Sequence, residues 1–150
     1  MKTVYFDGAC WPFNPGGQGS YAYVIYNEND KLTSHSANIG QGKGMTNNVA
    51  EYFGIYRALE YLFNNQFTNE SIIVKGDSKL VIQQMKGDWK IKKGQYKVIA
   101  IQTQILVRAF KDISFFWIPR EENEECDKLT KEKVLKKEDL STKYYGSIFF

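Results

Sequence analysis

The chain has 150 residues, of which 43% are hydrophobic and 25% charged, and its formal net charge is +3. This composition is typical of one folded domain with a hydrophobic core, and it excludes a disordered or low-complexity chain. No stretch of the sequence approaches the roughly 20 consecutive apolar residues of a membrane span. We therefore expect a cytoplasmic protein with no membrane partner, and the small positive charge only mildly favours anionic partners.

The first part of the chain reads as three strands. An apolar run over residues 2–8 predicts a short strand that ends at Asp7 and Gly8. The stretch at residues 10–19, which contains several Pro and Gly residues, predicts a loop. Two runs rich in aromatic and β-branched residues then flank the polar residues 27–30, a pattern that predicts a β-hairpin.

The rest of the chain alternates helices and strands. Thr46 or Asn47 is a good N-cap for a helix that continues to about residue 63. The further predicted elements are a strand over residues 71–77, a helix from Ser78 to about Met85, a helix within 95–110, a strand over 112–119 and a closing helix over 123–140. The order β-β-β-α-β-α-α-β-α predicts an α/β domain, in which a five-stranded mixed β-sheet is flanked by helices.

Four carboxylates occupy related places in this predicted fold. Asp7 and Asp77 each end a predicted strand, and reactive groups collect at strand ends along the ligand-binding edge of an α/β sheet. Glu51 lies one turn into the first helix, and Asp127 lies in the first turns of the closing helix. If the two strands are parallel neighbours, all four side chains can point to one place. Each acid alone also has a structural interpretation, as a turn, cap or solvated helix residue, and spacing leaves both interpretations open.

Converging carboxylates without paired cations would repel one another and raise one another's pKa values. A divalent cation removes this repulsion, and oxygen ligands with open positions suit Mg²⁺, with Mn²⁺ as an alternative. Two such ions about 4 Å apart can activate a water and stabilise the leaving oxygen of a phosphodiester. The pattern therefore favours a site with two metal ions and phosphodiesterase chemistry.

Four stretches of the chain together resemble the sequence blocks of type 1 ribonuclease H. They are FDGAC, TNNVAEYFGIYRALE, KGDSKLVIQQMKG and WIPREENEECDKL, in that order, and the resemblance runs from Val4 to about Val134. The combination of D-G-A, T-N-N-x-x-E, D-S and E-N-x-x-x-D is far more specific than any single block. By this match the metal-binding and catalytic acids of the family fall on Asp7, Glu51, Asp77 and Asp127.

The resemblance implies a ribonuclease H fold and an endonuclease that cuts the RNA strand of RNA–DNA hybrids without sequence preference, leaving 5′-phosphate and 3′-hydroxyl ends. We expect a monomer with two Mg²⁺ ions per site. We also expect a free-standing enzyme rather than part of a reverse transcriptase, because the chain starts just before its first predicted strand. The alternatives are a catalytically inactive hybrid-binding module, which the intact acids argue against, and another nuclease on the same fold, such as a transposase or Holliday-junction resolvase core. Activity on double-stranded RNA stays open.

Several further residues match positions that contact the hybrid in the family. The 2′-hydroxyls of an RNA strand lie in a wide, shallow minor groove, where main-chain amides and small side chains can read them. Asn14, Asn47 and Asn48 match positions that read these hydroxyls in the family, and Gly8 permits close approach of the backbone. The other candidates for substrate contact are Thr46, Lys79, Trp89 and Arg120. Asn47 and Asn48 can equally serve as plain N-cap residues, and Thr46 is a candidate for a DNA phosphate pocket.

The basic segment, residues 86–97, holds five lysines interleaved with Trp89 and Tyr96. This mixture suits the phosphate backbone of the DNA strand, with an affinity that falls as salt rises. A run of charge is more often only a solvated face, so both interpretations stand. The segment is too short for the long basic protrusion of some bacterial family members.

The chain departs from the family pattern at two places. Lys79 stands where the family commonly has Gln, and a lysine there can contact sugar or phosphate in place of bases in the minor groove. Arg120 stands roughly where many members have a mobile histidine, and a guanidinium that stays protonated can bind phosphate but cannot act as a general base. The single histidine, His35, is expected on the surface of a strand. Glu124 is a weaker candidate near the metals.

The cysteines and the C-terminus have structural interpretations. Cys10 and Cys126 are too few for a disulfide scaffold and lack metal-ligand spacing, so we expect reduced, buried thiols. We expect the ribonuclease H domain to cover residues 1–140. Residues 141–150, rich in aromatic side chains, are expected to form a tail that packs on the domain's own core, and docking on an unknown partner is the alternative.

Overall fold

The computed structural model of the protein describes residues 1–134. Its elements are β1 Lys2–Trp11, β2 Gln18–Asn27, β3 Asp30–Gln41, α1 Asn47–Asn64, β4 Ser71–Gly76, α2 Lys79–Lys86, α3 Lys97–Val107, β5 Asp112–Trp117 and α4 Glu124–Glu132, with a 3₁₀ turn at Arg120–Glu122. The predicted fold class and element order are confirmed. The last part of the predicted closing helix, the domain boundary at residue 140 and the tail at 141–150 lie outside the described residues.

The five strands form one mixed sheet in the order β3-β2-β1-β4-β5. β1 and β2 are antiparallel, as are β2 and β3, and the turn of the predicted hairpin falls between Asn27 and Asp30. β1 is parallel to β4, and β4 is parallel to β5. The central strand β1 therefore joins the antiparallel half of the sheet to the parallel half.

β1 is longer than the sequence indicates. The prediction that it ends at Asp7 and Gly8 is wrong, because antiparallel pairing with β2 continues to Trp11, opposite Gln18. Only the parallel pairing with β4 stops near the predicted place, at Phe6. Consequently the predicted loop shortens to residues 12–17 between the two strands.

The hydrophobic core lies mainly between the sheet and helices α1 to α3. Phe6 of β1 and Val74 of β4 are fully buried against apolar residues of α1 such as Ile55 and Leu59. A smaller cluster lies under α4, where the buried Cys126 packs against residues of β2. Within the described part of the chain, none of the helices has the length and apolar character needed to cross a membrane.

The backbones of β1 and α1 approach closely at Gly8. A Cβ atom on Gly8 would lie 2.2 Å from the main-chain carbon of Ala50 and 2.2 Å from the nitrogen of Glu51. A second close approach lies one turn along the helix, where a Cβ on Gly54 would lie 2.7 Å from the main-chain oxygen of Asp7. Two glycines thus set the distance between the central strand and the helix that carries Glu51.

The substitution Gly8→Ala should lower the free energy of unfolding by about 3 kcal/mol, because the added methyl group meets main-chain atoms that cannot move independently. Urea denaturation measures this loss. Gly16→Ala is the matched control: its φ of 99° disfavours alanine, but no atom lies within 4 Å of the added carbon. The control should therefore cost only about 1 kcal/mol. A Gly8→Ala protein as stable as the control would contradict this account of the packing.

Candidate metal centre

Asp7 and Asp77 become neighbours through the pairing of two parallel strands. The last parallel pair of β1 and β4 is Phe6 with Gly76, so each aspartate is the next residue along its chain. A Cβ on Gly76 would lie 2.4 Å from the ring of Phe6, and this glycine therefore allows the two strand ends to pack closely. The expectation that parallel pairing sets these two acids side by side is met, although β1 itself runs on.

Glu51 reaches the same place from α1. The helix begins after Thr46, whose hydroxyl accepts a hydrogen bond from the N–H of Val49 at 3.1 Å, as an N-cap residue does. The N–H of Gly8 donates to Oε1 of Glu51 at 2.7 Å and to Oδ1 of Asp7 at 2.9 Å. This one amide therefore ties the helix acid to the strand acid.

The three carboxylates form a tight group. One oxygen from each of Asp7, Glu51 and Asp77 lies within 4.8 Å of the other two. Burial raises the pKa of Asp7 to about 6, against the opposing hydrogen bonds from Glu51 and Gly8, and the negative charge of Asp77 adds to the rise. Burial also raises the pKa of Glu51 well above its ordinary range and raises that of Asp77. The folded protein thus makes full ionisation of this group costly.

The group has the properties of a divalent cation site. Oε2 of Glu51 is buried and has no hydrogen-bond partner among the described residues. The ion pairs found within residues 1–134 do not include any of the three acids. Burying a carboxylate oxygen that has no hydrogen-bond partner costs free energy, and a set made only of oxygen donors suits Mg²⁺ or Mn²⁺. These residues therefore fit the metal that the sequence predicts.

Asp127 is arranged differently from the other three acids. Its Oδ1 accepts a hydrogen bond from Arg120 at 3.2 Å, and its Oδ2 lies 3.1 Å from Nζ of Lys131. It lines the same cleft but lies outside the three-carboxylate group. We expected all four acids to converge, and three of them do. The fourth, Asp127, pairs instead with Arg120 and Lys131. The i to i+4 spacing of Asp127 and Lys131 on one helix was the available signal for this pairing.

A buried asparagine, which the sequence analysis did not single out, fixes α4 beside the cleft. Asn123 is 2% exposed, and its Nδ2 donates to the main-chain oxygen of Phe6 at 2.8 Å. Glu125 holds the same helix from the other side, accepting from the hydroxyl of Tyr26 at 2.7 Å and pairing with Lys31. The position of Asn123 inside the E-N-x-x-x-D block was the only sequence signal. Glu124, the weaker candidate, is exposed in the first turn of α4 and does not line the cleft.

The acids lie in a cleft of about 710 Å³. Of the residues predicted to contact substrate, four line this cleft: Gly8, Asn47, Asn48 and Arg120. Asn47 also accepts a hydrogen bond from the N–H of Cys10 at 2.9 Å, so its side chain ties α1 to the extended end of β1. Ser78, whose hydroxyl caps α2, and Lys131 complete the polar part of the lining.

The other predicted contact residues do not line the cleft. The side-chain oxygen of Asn14 accepts a hydrogen bond from the N–H of Asn47 at 3.1 Å, and Thr46 serves as the cap of α1. Lys79 begins α2 and lies with its Nζ 5.1 Å from the ring centre of Trp117. Trp89 is 48% exposed at the C-terminal side of α2.

The cysteines and the histidine are placed as follows. Cys126 is fully buried, as expected, but the prediction is wrong for Cys10, which is only partly buried and lines the cleft. The reason is that β1 extends past Asp7, so Cys10 lies near the end of the strand, where it packs only partly against the core. Its thiol donates to the main-chain oxygen of Phe13 at 2.9 Å. His35 is exposed on β3, as expected.

The metal-free protein should lose stability as pH rises through the titration of Asp7. Between pH 3.8 and about 6 the unfolded chain gives up the Asp7 proton while the folded chain keeps it, so the free energy of unfolding falls across this window. The variant Asp7→Asn lacks this loss. Its stability advantage over the wild type, measured by denaturation in EDTA, should therefore grow from about zero at pH 3.5 to 2 or 3 kcal/mol at pH 7.

Saturating Mn²⁺ at pH 7 should reverse that ranking, because a ligand that binds only the folded state stabilises it. The wild type should then gain stability and Asp7→Asn should gain little. A constant difference between the two proteins at every pH, with no response to Mn²⁺, would contradict the assignment of a cation site.

Sequence comparison gives the family. Residues 5–133 match the family described as reverse transcriptase-like. The chain is 30% identical over 142 residues to the ribonuclease H of Campylobacter jejuni, an alignment that covers 89% of this chain and 90% of that protein. It is 33% identical over 134 residues to a bifunctional protein of Mycobacterium tuberculosis, covering 89% of this chain and 36% of the relative. The chain thus spans about a third of the mycobacterial protein.

Structural comparison gives the same result. The crystal structure of LC11-RNase H1 in complex with RNA/DNA hybrid superposes on this chain with a TM-score of 0.81 at 31% sequence identity. The superposition covers 95% of this chain and 100% of the LC11 chain. The resemblance seen in the four sequence blocks is confirmed. With a family match along most of its length and a relative aligned nearly from end to end, this chain belongs to the type 1 ribonuclease H family.

Proposed function

We propose that the protein is an endonuclease that hydrolyses the RNA strand of RNA–DNA hybrids and leaves 5′-phosphate and 3′-hydroxyl ends. The observation that carries this proposal is the group of three carboxylates within 4.8 Å of one another, in a chain of the ribonuclease H family. The solved complex of a relative with an RNA/DNA hybrid supports the choice of substrate. We extend the proposal to a cytoplasmic monomer.

Asp7, Glu51 and Asp77 would hold divalent ions, with Asp127 as a further ligand from the wall of the cleft. Two bound Mg²⁺ ions would supply an activated water and would neutralise the charge that develops on the leaving oxygen. The chain's own contribution is to keep the acids close together before metal arrives. The N–H of Gly8 does this for two of them, because it fixes one oxygen of each.

Arg120 is suited to hold a phosphate of the RNA strand. Its side chain is 68% exposed, and one of its nitrogens donates a hydrogen bond to Oδ1 of Asp127 at 3.2 Å. A guanidinium carries five N–H donors, so most of them are free for phosphate oxygens. Its contact with Asp127 also raises the pKa of Arg120, so it stays protonated and takes no part in proton abstraction.

Polar groups of the first helix and strand are suited to select the RNA strand. Asn47 and Asn48 lie at the N-terminus of α1 and line the cleft beside Gly8, where only a hydrogen stands in place of a side chain. Amide groups donate to and accept from a 2′-hydroxyl without distinguishing bases. The DNA strand, which lacks this hydroxyl, would be bound outside the cleft through its phosphates. Double-stranded RNA presents the same hydroxyls, so it belongs among the substrates to be tested.

The substitution Asp77→Asn should lower the rate of hybrid cleavage by about 1,000-fold or more, because a neutral amide is a poor ligand for Mg²⁺. The assay is cleavage of a labelled RNA–DNA hybrid in Mg²⁺, beside double-stranded RNA and double-stranded DNA. Asp112→Asn is the matched control, because Asp112 begins β5 at the opposite end of the sheet and its side chain hydrogen-bonds only Ser71 within residues 1–134. Hybrid binding by the wild type without cleavage in Mg²⁺ or Mn²⁺ would instead identify a binding module.

Lys131→Gln should lower the Mg²⁺ concentration needed for half-maximal activity about threefold, since the variant removes a cation 3.1 Å from a carboxylate oxygen of Asp127. Lys128→Gln removes an exposed charge from the same helix, outside the cleft, and should change nothing. Direct titration with Mn²⁺ checks the result independently of activity. Equal metal affinities for the two variants would show that Lys131 does not compete with the metal.

A further inference from the structure

A buried hydrogen-bonded cluster joins the basic segment, residues 86–97, to the core. It consists of Tyr52 on α1, Gln84 on α2 and Tyr96 just before α3, which are 0%, 1% and 8% exposed. We call these three residues the Gln84 cluster. Tyr52 follows the metal-site residue Glu51 directly in the chain, so one helix carries both the cluster and the acid.

Gln84 uses both ends of its side-chain amide. Its Nε2 donates to the main-chain oxygen of Lys90 at 3.0 Å and to the hydroxyl oxygen of Tyr96 at 3.1 Å. Its Oε1 accepts from the hydroxyl of Tyr52 at 2.5 Å. A main-chain oxygen only accepts hydrogen bonds, so the nitrogen of the amide must face Lys90. Glutamate, although of the same shape, would place a second oxygen against that carbonyl.

Tyr96 completes the attachment. Its hydroxyl oxygen accepts a hydrogen bond from the N–H of Lys92 at 3.2 Å, and its ring lies parallel to that of Tyr52, with 5.8 Å between ring centres and an angle of 2°. Ile91 packs against the main core between these two attachment points. The main chain from Lys90 to Lys92 is therefore held by a hydrogen bond on each side of a packed side chain.

The outer surface of the basic segment has the opposite character. All five of its lysines are exposed, and so is Trp89. Lys86 pairs with Asp88 at 3.6 Å, whereas the other four make no ion pair within residues 1–134. Holding unpaired lysines of like charge close together costs free energy. The buried amide of Gln84 beneath them stabilises the fold little more than an apolar side chain of the same size would. Such an arrangement is explained best by an anionic partner.

The location of the segment fits the strand of the hybrid that is not cut. Asp77 lies just before the N-terminus of α2, and the basic segment begins at its C-terminus. A helix of eight residues is about 12 Å long, so a duplex whose RNA strand lies on the acids leaves its other strand within reach of the lysines. Lysines that are already fixed lose less conformational entropy when they bind phosphates.

We propose that Tyr52, Gln84 and Tyr96 are positioning residues that hold the basic segment in the conformation that grips the DNA strand. This inference rests on the proposed ribonuclease H function. The cluster acts through the main chain of Lys90 and Lys92 and touches neither substrate nor metal. It therefore controls the affinity for the hybrid and leaves the chemical step alone.

The test compares Tyr96→Phe and Gln84→Met with the wild type. Both variants keep the bulk of the buried side chain and remove its hydrogen bonds to the segment. Each should raise KM for the hybrid about fivefold, with kcat changed less than about twofold, and should weaken metal-free binding of the hybrid in EDTA to the same extent. Hydrogen exchange at the amide of Lys92 should accelerate about tenfold in Tyr96→Phe, since its acceptor is gone.

Tyr21→Phe is the matched control, a buried tyrosine on β2 that makes no hydrogen bond to the basic segment, and it should leave KM unchanged. A double-mutant cycle gives a second test. Lys93→Gln should weaken hybrid binding less in the Tyr96→Phe background than in the wild type, because both changes weaken the same contact between the basic segment and the DNA strand.

Unchanged KM and hybrid affinity in both variants, or a fall in kcat alone, would overturn the inference while the proposed function stands. Additive effects of Tyr96→Phe and Lys93→Gln would overturn it as well. A wild type that binds the hybrid without cutting it would contradict the proposed function but not this inference. Hybrid binding in EDTA and hydrogen exchange at Lys92 would still test the inference.

Discussion

The close approach of α1 to β1 at Gly8 is the constraint on which the site depends. A side chain at this position would lie 2.2 Å from main-chain atoms of the helix, so only glycine lets the helix come this near. The N–H of the same residue then donates hydrogen bonds to the carboxylates of Asp7 and Glu51. One small residue therefore sets both the packing distance and the spacing of two acids, while the parallel pairing of β1 with β4 adds Asp77.

This arrangement places stability and function in opposition. Three buried or half-buried acids whose pKa values are raised weaken the metal-free fold at neutral pH, and one oxygen of Glu51 has no hydrogen-bond partner in the described part of the chain. A divalent cation offsets this cost, which explains why a chain would retain such a group. Asp127 stands apart because Arg120 and Lys131 already neutralise it. We propose that metal binding at Asp127 competes with these two cations of the chain.

The sequence predicts the fold well because its patterns are local. The alternation of apolar and polar residues, the N-cap at Thr46 and the turn residues within 71–79 determine the elements. The four sequence blocks identify the family. The end of β1 could not be predicted, because residues past Asp7 are held by pairing with β2 and not by their own propensity. The contact of Asp127 with Arg120 and the anchoring by Asn123 depend on side-chain contacts between separate elements, which neither period nor spacing reports. Only the pairing of Asp127 with Lys131, at i to i+4 on one helix, follows from spacing.

Anomalous diffraction from crystals grown with Mn²⁺ and a non-cleavable RNA–DNA hybrid would show whether the three carboxylates bind metal beneath the RNA strand. We expect a Mn²⁺ peak bound by oxygens of Asp7, Glu51 and Asp77, with the RNA strand over it and the N–H of Gly8 still bonded to Asp7 and Glu51. A hybrid seated in the cleft with no Mn²⁺ on these three carboxylates would contradict this expectation.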